Sequence, residues 1–342
     1  MENFLIVKLS SLGDIIHTLP SFHAIRTNFP EARINWIVEK NGQEILDLVP
    51  GIDKIIGLKK SKFNKEKSNL LKELLDLRNE LKNTSQIALD FQGLLKSSFI
   101  AFITGAKKRI GFHRKNLKEP AASIFYNDHF EPIPENIHVI KKNLLLLNRI
   151  GIKENRYVFP LVLPQELSEA VDNKLRNTGF NKNKKLILCN VGAAWKTKRW
   201  FAEKWIKLLS LLDNKNLFPL LLWGTEQEKD LASEISTKCK TPVSPYFSIK
   251  EVMSLIQKSN LLISGDTYAL HAACALSKPA VAIIGPTNPE RNGPFGPNCK
   301  IAFHKMKCSY CYKKTCRTLD CLKAISPEEV YKMSIQLLEY NE

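Results

Sequence analysis

Short apolar runs alternate with segments of helical periodicity through nearly all of this chain, and the scheme occurs twice. In the first half, runs at 4–9, 34–38, 54–58, 87–91 and 109–112 have strand length, with helical spacing over 14–29, 66–81 and 94–103. Within 14–29, Ile15, Ile16, Leu19, Phe22 and Ile25 recur on one helix face, and Pro20 is expected to kink it. The second half repeats the pattern, with strands at 186–191, 218–223, 261–264 and 280–284 and helices at 202–212, 226–239, 249–257 and 268–276. Strands that alternate with helices build parallel sheets covered on both faces. Between the halves, residues 157–164 carry two prolines and read as an extended connection. The expectation is an α/β chain of two doubly wound, Rossmann-like domains, 1–156 and 165–326, facing a central cleft. Residues 327–342 form a last helix whose packing partner the pattern leaves open.

At 342 residues the chain is long enough for two domains, and 44% hydrophobic usage excludes a disordered polymer. Its 51 Lys and Arg exceed its 34 Asp and Glu, a formal charge of +17. Such an excess predicts an anionic partner: nucleic acid, phosphorylated lipid or a phosphate-bearing small molecule. No run approaches the roughly eighteen apolar residues of a spanning helix. The first residues lack the basic start and long apolar stretch of a secretory signal, so the expected location is the cytosol.

Open α/β sheets bind ligands beyond the carboxyl ends of their strands, so chemistry is sought just after each strand. After the first strand come Ser10, Ser11, Gly13 and Asp14; a serine can cap the next helix, and Asp14 is either a first-turn carboxylate or a reactive one at the cleft. After the strand at 186–191 come Gly192, Ala193 and Ala194, then Lys196, Lys198 and Arg199 between Trp195 and Trp200. Small residues that open the backbone, followed by cations, suit a phosphate or pyrophosphate. After the strand at 261–264 come Asp266, Thr267, Tyr268 and His271, where a helix N-terminus offers free amides and His271 a further donor. Glu228, beyond Trp223 and Gly224, is placed either to accept from a ribose or as a solvated helix residue. Dinucleotide, P-loop, zinc-protease and serine-hydrolase signatures are missing from the sequence.

Together these segments resemble glycosyltransferase family 9, the ADP-heptose:lipopolysaccharide heptosyltransferases. The resemblance runs through KLSSLGDIIHTLP at 8–20, LDFQGLLKS at 89–97, the loops at 195–200 and 265–271, and the G-P-T-x-P region at 285–296. EPAASIFY at 119–126 looks like the type that adds the first core heptose to Kdo. The resemblance implies the GT-B fold, an inverting mechanism without a catalytic metal or other cofactor, and ADP-heptose as donor. It implies Asp14 as general base, Lys198 on the donor phosphates and Glu228 on the ribose. Ala193, Ala194, Asp266, Thr267, Tyr268 and His271 would line the donor site, with Phe247 near the adenine. Ser10, Ser11, Gln92 and Lys118 would face the acceptor. The partners implied are the nucleotide sugar and a lipid A–Kdo acceptor at the inner face of the cytoplasmic membrane, met by a monomer. Three departures stand out: Ala193 and Ala194 replace hydroxyl residues of some relatives, Tyr268 replaces a small glycine, and Lys118 replaces an arginine, turning a bidentate contact into a point charge.

Cys308, Cys311, Cys316 and Cys321 lie within fourteen residues and either bind structural zinc or stay reduced thiols; the spacing is not that of a standard zinc ribbon. A basic nucleic-acid-binding protein is the rival from another class. Its lysines should interleave with aromatics on one surface, whereas those at 59–67 and 182–185 are scattered and no nucleic-acid module appears. A heptosyltransferase of the second step, or one using another sugar, is the rival within the family. The basic surplus then reads as a dock for a phosphorylated glycolipid, with Lys118 and the residues of 54–67 toward the acceptor.

Overall fold

The computed structural model describes residues 3–58, 78–79, 81 and 86–340. The chain divides into two compact units, Met1–Val162 and Leu163–Glu342, and the division falls in the two-proline segment. Each unit carries one parallel sheet among the described residues.

The first sheet comprises β1 (Phe4–Val7), β2 (Ile34–Glu39), β3 (Lys54–Leu58), β4 (Ile87–Asp90), β5 (Lys108–Gly111) and β6 (Asp128–His129), in the order β3-β2-β1-β4-β5-β6. Phe4 of β1 lies opposite Ile34 on one side and Ile87 on the other. The second comprises β7 (Lys185–Asn190), β8 (Leu217–Leu222), β9 (Leu261–Gly265), β10 (Ala280–Ile283) and β11 (Cys299–Ala302), in the order β11-β10-β9-β7-β8. Every residue of β1, β4, β9 and β10 is buried. This is why those strands read as unbroken apolar runs rather than alternating ones: helices cover both faces of a parallel sheet.

The expected helix over 14–29 is two helices, Leu12–Ile16 and Leu19–Asn28. Pro20 sits in the first turn of the second, where an N–H has no intrahelical partner to lose. The helix Glu226–Cys239 follows Thr225, whose hydroxyl accepts from the Glu228 N–H, and ends at Lys240 in the left-handed region. Ser248 and Glu251 form a reciprocal capping box at the start of Ile249–Lys258. The helix Pro327–Tyr340 belongs to the second unit, packing on Ala202–Leu211 and on β9, β10 and β11. There Val330, Leu337 and Leu338 join Ile187, Trp200, Trp205 and Val281 in one core. The expected charged helix over 66–81 lies almost wholly outside the described residues, as does the basic run at 59–67.

Candidate functional site

In each sheet the order of strand addition reverses at one place, between β1 and β4 in the first and between β7 and β9 in the second. Such switch points open a crevice at the strands' carboxyl ends.

In the first unit, Gln92 Oε1 accepts from the N–H groups of Leu9 and Ser10, both at 3.1 Å, and so ties the loop after β1 to the loop after β4. Asp90 holds Gln92 in place. Its buried carboxylate accepts from the amides of Gln92 (2.8 Å) and Gly93 (3.0 Å), from Ser97 Oγ (2.8 Å) and from the Tyr126 hydroxyl (2.7 Å). Burial pushes the Asp90 carboxyl above its ordinary range; the bonds from Tyr126, Gly93, Ser97 and Gln92 pull it down without prevailing. Lys8 is buried and donates to the Phe91 carbonyl at 3.1 Å. Asp14, half-buried in the first turn of Leu12–Ile16, accepts from Ser11 N (3.1 Å) and Ser11 Oγ (3.0 Å). Thus Ser10, Ser11, Asp14 and Gln92 meet at the switch point. Lys118 is exposed on a separate loop, but its neighbour Glu119 accepts from Leu95 N at 2.7 Å, which binds that loop to the start of the helix Leu95–Ile103.

In the second unit the centre is Asp266, buried just after β9. Its carboxylate takes Lys198 Nζ at 2.7 Å, His271 Nε2 at 3.2 Å and the Thr287 hydroxyl at 2.8 Å. Burial raises its pKa, but His271 and then Lys198 outweigh burial and hold the carboxyl well below the usual carboxylate range. Lys198 also donates to the Asp266 carbonyl at 3.2 Å and lies 4.6 Å from the centre of the Trp195 ring. Thr267 precedes the helix Tyr268–Ala275 without capping it; its hydroxyl instead meets Asn190 Nδ2 (3.0 Å) and Ser264 Oγ (2.9 Å). Thr267 thus leaves the first turn uncapped by its own side chain, and the Lys198–Asp266 pair sits just before it, a setting in which helix N-termini bind anions.

Ala193 is buried and Ala194 exposed, and Arg199 Nε donates to the Ala193 carbonyl at 2.7 Å. The Tyr268 hydroxyl donates to the Ile249 carbonyl at 2.6 Å, so this residue braces two helices. Glu228 accepts from Gly224 N at 2.9 Å and lies against Gly192, where a Cβ would collide with its side chain. Phe247 is 4% exposed, with Lys174 Nζ 5.3 Å from the centre of its ring. Its neighbour Tyr246 is 57% exposed and packs on Trp223 with ring centres 5.6 Å apart. The sequence assigns no individual role to Thr287, inside the G-P-T-x-P region, or to Asn190, at the end of β7; the structure bonds them to Asp266 and Thr267, respectively.

Cys308, Cys311, Cys316 and Cys321 line one cavity of about 20 Å³ with Thr197, Gly285 and Pro286. Cys308, Cys311 and Cys316 are exposed and Cys321 is half-buried. Among the described residues no three His, Cys, Asp or Glu side chains are arranged to hold a metal ion, so the zinc reading gains no support from this geometry.

The family model described as Glycosyltransferase family 9 (heptosyltransferase) matches residues 74–322, well over half of the chain. The chain belongs to glycosyltransferase family 9. Lipopolysaccharide heptosyltransferase 1 of Campylobacter coli is 29% identical over 350 residues, covering 97% of this chain and 98% of that protein. Lipopolysaccharide heptosyltransferase 1 of Pseudomonas aeruginosa is 27% identical over 320 residues, covering 91% and 86%. The solved structure of E. coli heptosyltransferase WaaC with ADP has a TM-score of 0.76 at 22% identity, covering 99% of this chain and 100% of that one. The family 9 chain is accordingly a glycosyltransferase with the α/β, GT-B fold.

Proposed function

We propose that this family 9 enzyme transfers heptose from ADP-heptose to Kdo of the lipopolysaccharide inner core, with inversion at the anomeric carbon. The observation that carries the donor half is the Asp266 cluster: Lys198 is paired to Asp266 just ahead of a helix N-terminus whose preceding residue, Thr267, does not cap it. A diphosphate seated there meets N–H groups and an ammonium together. In this reading Glu228, which accepts from Gly224 N, also accepts from the ribose, and the exposed Tyr246 on Trp223, rather than the buried Phe247, offers a ring face to the adenine. The names of the relatives support the first-heptose step.

In this reading the acceptor hydroxyl oxygen attacks the anomeric carbon as the bond to the ADP oxygen breaks. The hydroxyl proton passes to Asp14, and the electron pair of the broken bond leaves with ADP. Oxocarbenium character develops at the sugar, and Lys198 with the helix amides meets the charge growing on the diphosphate. Asp266 is a positioning residue, because it reaches the donor only through Lys198 and His271. The enzyme then works at the inner membrane face, on an acceptor held by lipid; no helix among the described residues is long and apolar enough to cross a membrane.

Titration calorimetry tests the donor half. ADP is expected to bind, with Lys198→Ala weaker by about ten- to a hundredfold. Unchanged affinity in that variant would remove Lys198 from the phosphate site.

A further inference from the structure

Nine large apolar side chains are exposed among the described residues, and four of them, Leu95, Phe99, Phe102 and Ile124, gather in one part of the first unit. Leu95, Phe99 and Phe102 are four and three residues apart on the helix Leu95–Ile103, so they share a face. The short helix Pro120–Phe125 packs beside it and adds Ile124, 74% exposed, and Phe125. The Phe99, Phe102 and Phe125 ring centres lie 5.5–6.5 Å from one another. A buried ridge of this kind would be core; an exposed one marks an interaction surface.

The charge around the ridge says what it meets. Residues 95–125 hold seven Lys and Arg, at 96, 107, 108, 109, 114, 115 and 118, and one carboxylate, Glu119; of the seven, Lys96 pairs with Glu39 and Lys108 with Asp128. Lys107, Arg114, Lys115 and Lys118 are exposed. Arg109 lies over the Phe102 ring at 5.4 Å and donates through Nε to the Phe125 carbonyl at 2.8 Å, so one cation is built into the apolar cluster itself. Aromatic and aliphatic side chains flanked by cations are the composition that settles in the headgroup region of an anionic bilayer. The ridge also begins at the acceptor side of the sheet: Leu95 is three residues beyond Gln92, and Glu119 bonds the Leu95 N–H.

We propose that Leu95, Phe99, Phe102 and Ile124 insert into an anionic phospholipid surface, with the exposed Lys107, Arg114, Lys115 and Lys118 on its headgroups. This docking brings the β1–β4 switch point to the level of a lipid-borne acceptor, and in that respect it rests on the functional reading above.

The test uses the full chain and a Phe99→Ser/Phe102→Ser/Ile124→Ser variant, whose changes fall on exposed positions. Both are floated with phosphatidylethanolamine vesicles containing phosphatidylglycerol, and with phosphatidylcholine vesicles alone. Wild type is expected to float with the anionic vesicles, less as salt rises, and the variant to lose at least about tenfold in partitioning. ADP release with a soluble, lipid-free Kdo acceptor is expected to be equal for the two. A variant that floats like wild type overturns the proposal, as does flotation indifferent to lipid charge. Wild type that ignores vesicles but forms a dimer abolished by the three substitutions also overturns it, and makes the ridge a self-association face. A wild type that turns over the soluble acceptor without floating defeats the docking alone; one that floats without any turnover defeats the transfer reading alone.

Discussion

Replacing Asp266 with Asn tests whether the cluster of Asp266, Lys198, His271 and Thr287 is held together by charge. The Asp266 side chain is 7% exposed and that of Lys198 17%, so solvent screens the pair weakly. Asn keeps the shape and an acceptor for Lys198 or Thr287 but removes the negative charge from the two contacts to Lys198 and His271. Each such change forfeits about 1 kcal/mol, and a mostly buried ammonium left facing a dipole adds about as much again, for roughly 3 kcal/mol in all. For a domain of this size, that lowers Tm by about 6–12 °C. The pH dependence gives a second, independent readout. A carboxyl whose pKa is lower in the folded state than in the unfolded one contributes stability above the unfolded value, near 4, and loses it as pH falls toward the folded value. Asp266 is depressed in the folded state. The Tm gap between wild type and D266N is therefore present at pH 7 and narrows below about pH 4. Scanning fluorimetry over a pH series with circular dichroism as control measures both. An unchanged Tm at pH 7, or a gap that does not shrink on acidification, would refute the charge argument.

Three further outcomes are expected. Asp14→Asn lowers kcat by about 10²–10⁴-fold with little change in the KM for donor, measured by ADP release, because the proposed proton acceptor is lost while the residues proposed for the donor stay in place. Gly192→Ala forces the Glu228 side chain aside and raises the donor KM by about tenfold more than it lowers kcat, in the same assay. Tyr126→Phe leaves the buried Asp90 carboxylate one donor short and lowers stability by about 1–3 kcal/mol in urea unfolding, without removing any group assigned to chemistry.

The central strands were legible because parallel strands buried on both faces cannot alternate, so β1, β4, β7, β9 and β10 stood out as apolar runs. The edges were not. β6 is two polar residues, Asp128 and His129, paired to β5, and β11 is a half-exposed run recognised only by its pairing with β10. Helices Lys40–Leu46, Val139–Leu146 and Gln165–Arg176 also went unread, the last because its amphipathic face carries only Val171 and Leu175 as buried residues. At the site, Asp266 and His271 were legible as a turn entering a helix, one after the other in sequence. Thr287 reaches Asp266 across 21 residues, and no local pattern announces such a contact. The carbonyl oxygen of Gln92 secures the loop after β1, a role set by strand order that the motif alone did not announce. The resemblance implies Phe247 near the adenine; Phe247 is buried and its neighbour Tyr246 exposed, a difference that local sequence does not encode.

The transfer itself is the most direct test. Purified enzyme is given ADP-heptose with Kdo-lipid A, and ADP release is followed alongside the mass of the lipid product. Parallel reactions substitute other nucleotide sugars for the donor, or an acceptor that already carries the first heptose. The account predicts one ADP per heptose added to the Kdo acceptor, with the other donors and the heptosylated acceptor slow by comparison. Efficient turnover of a different nucleotide sugar, or preference for the heptosylated acceptor, would contradict it.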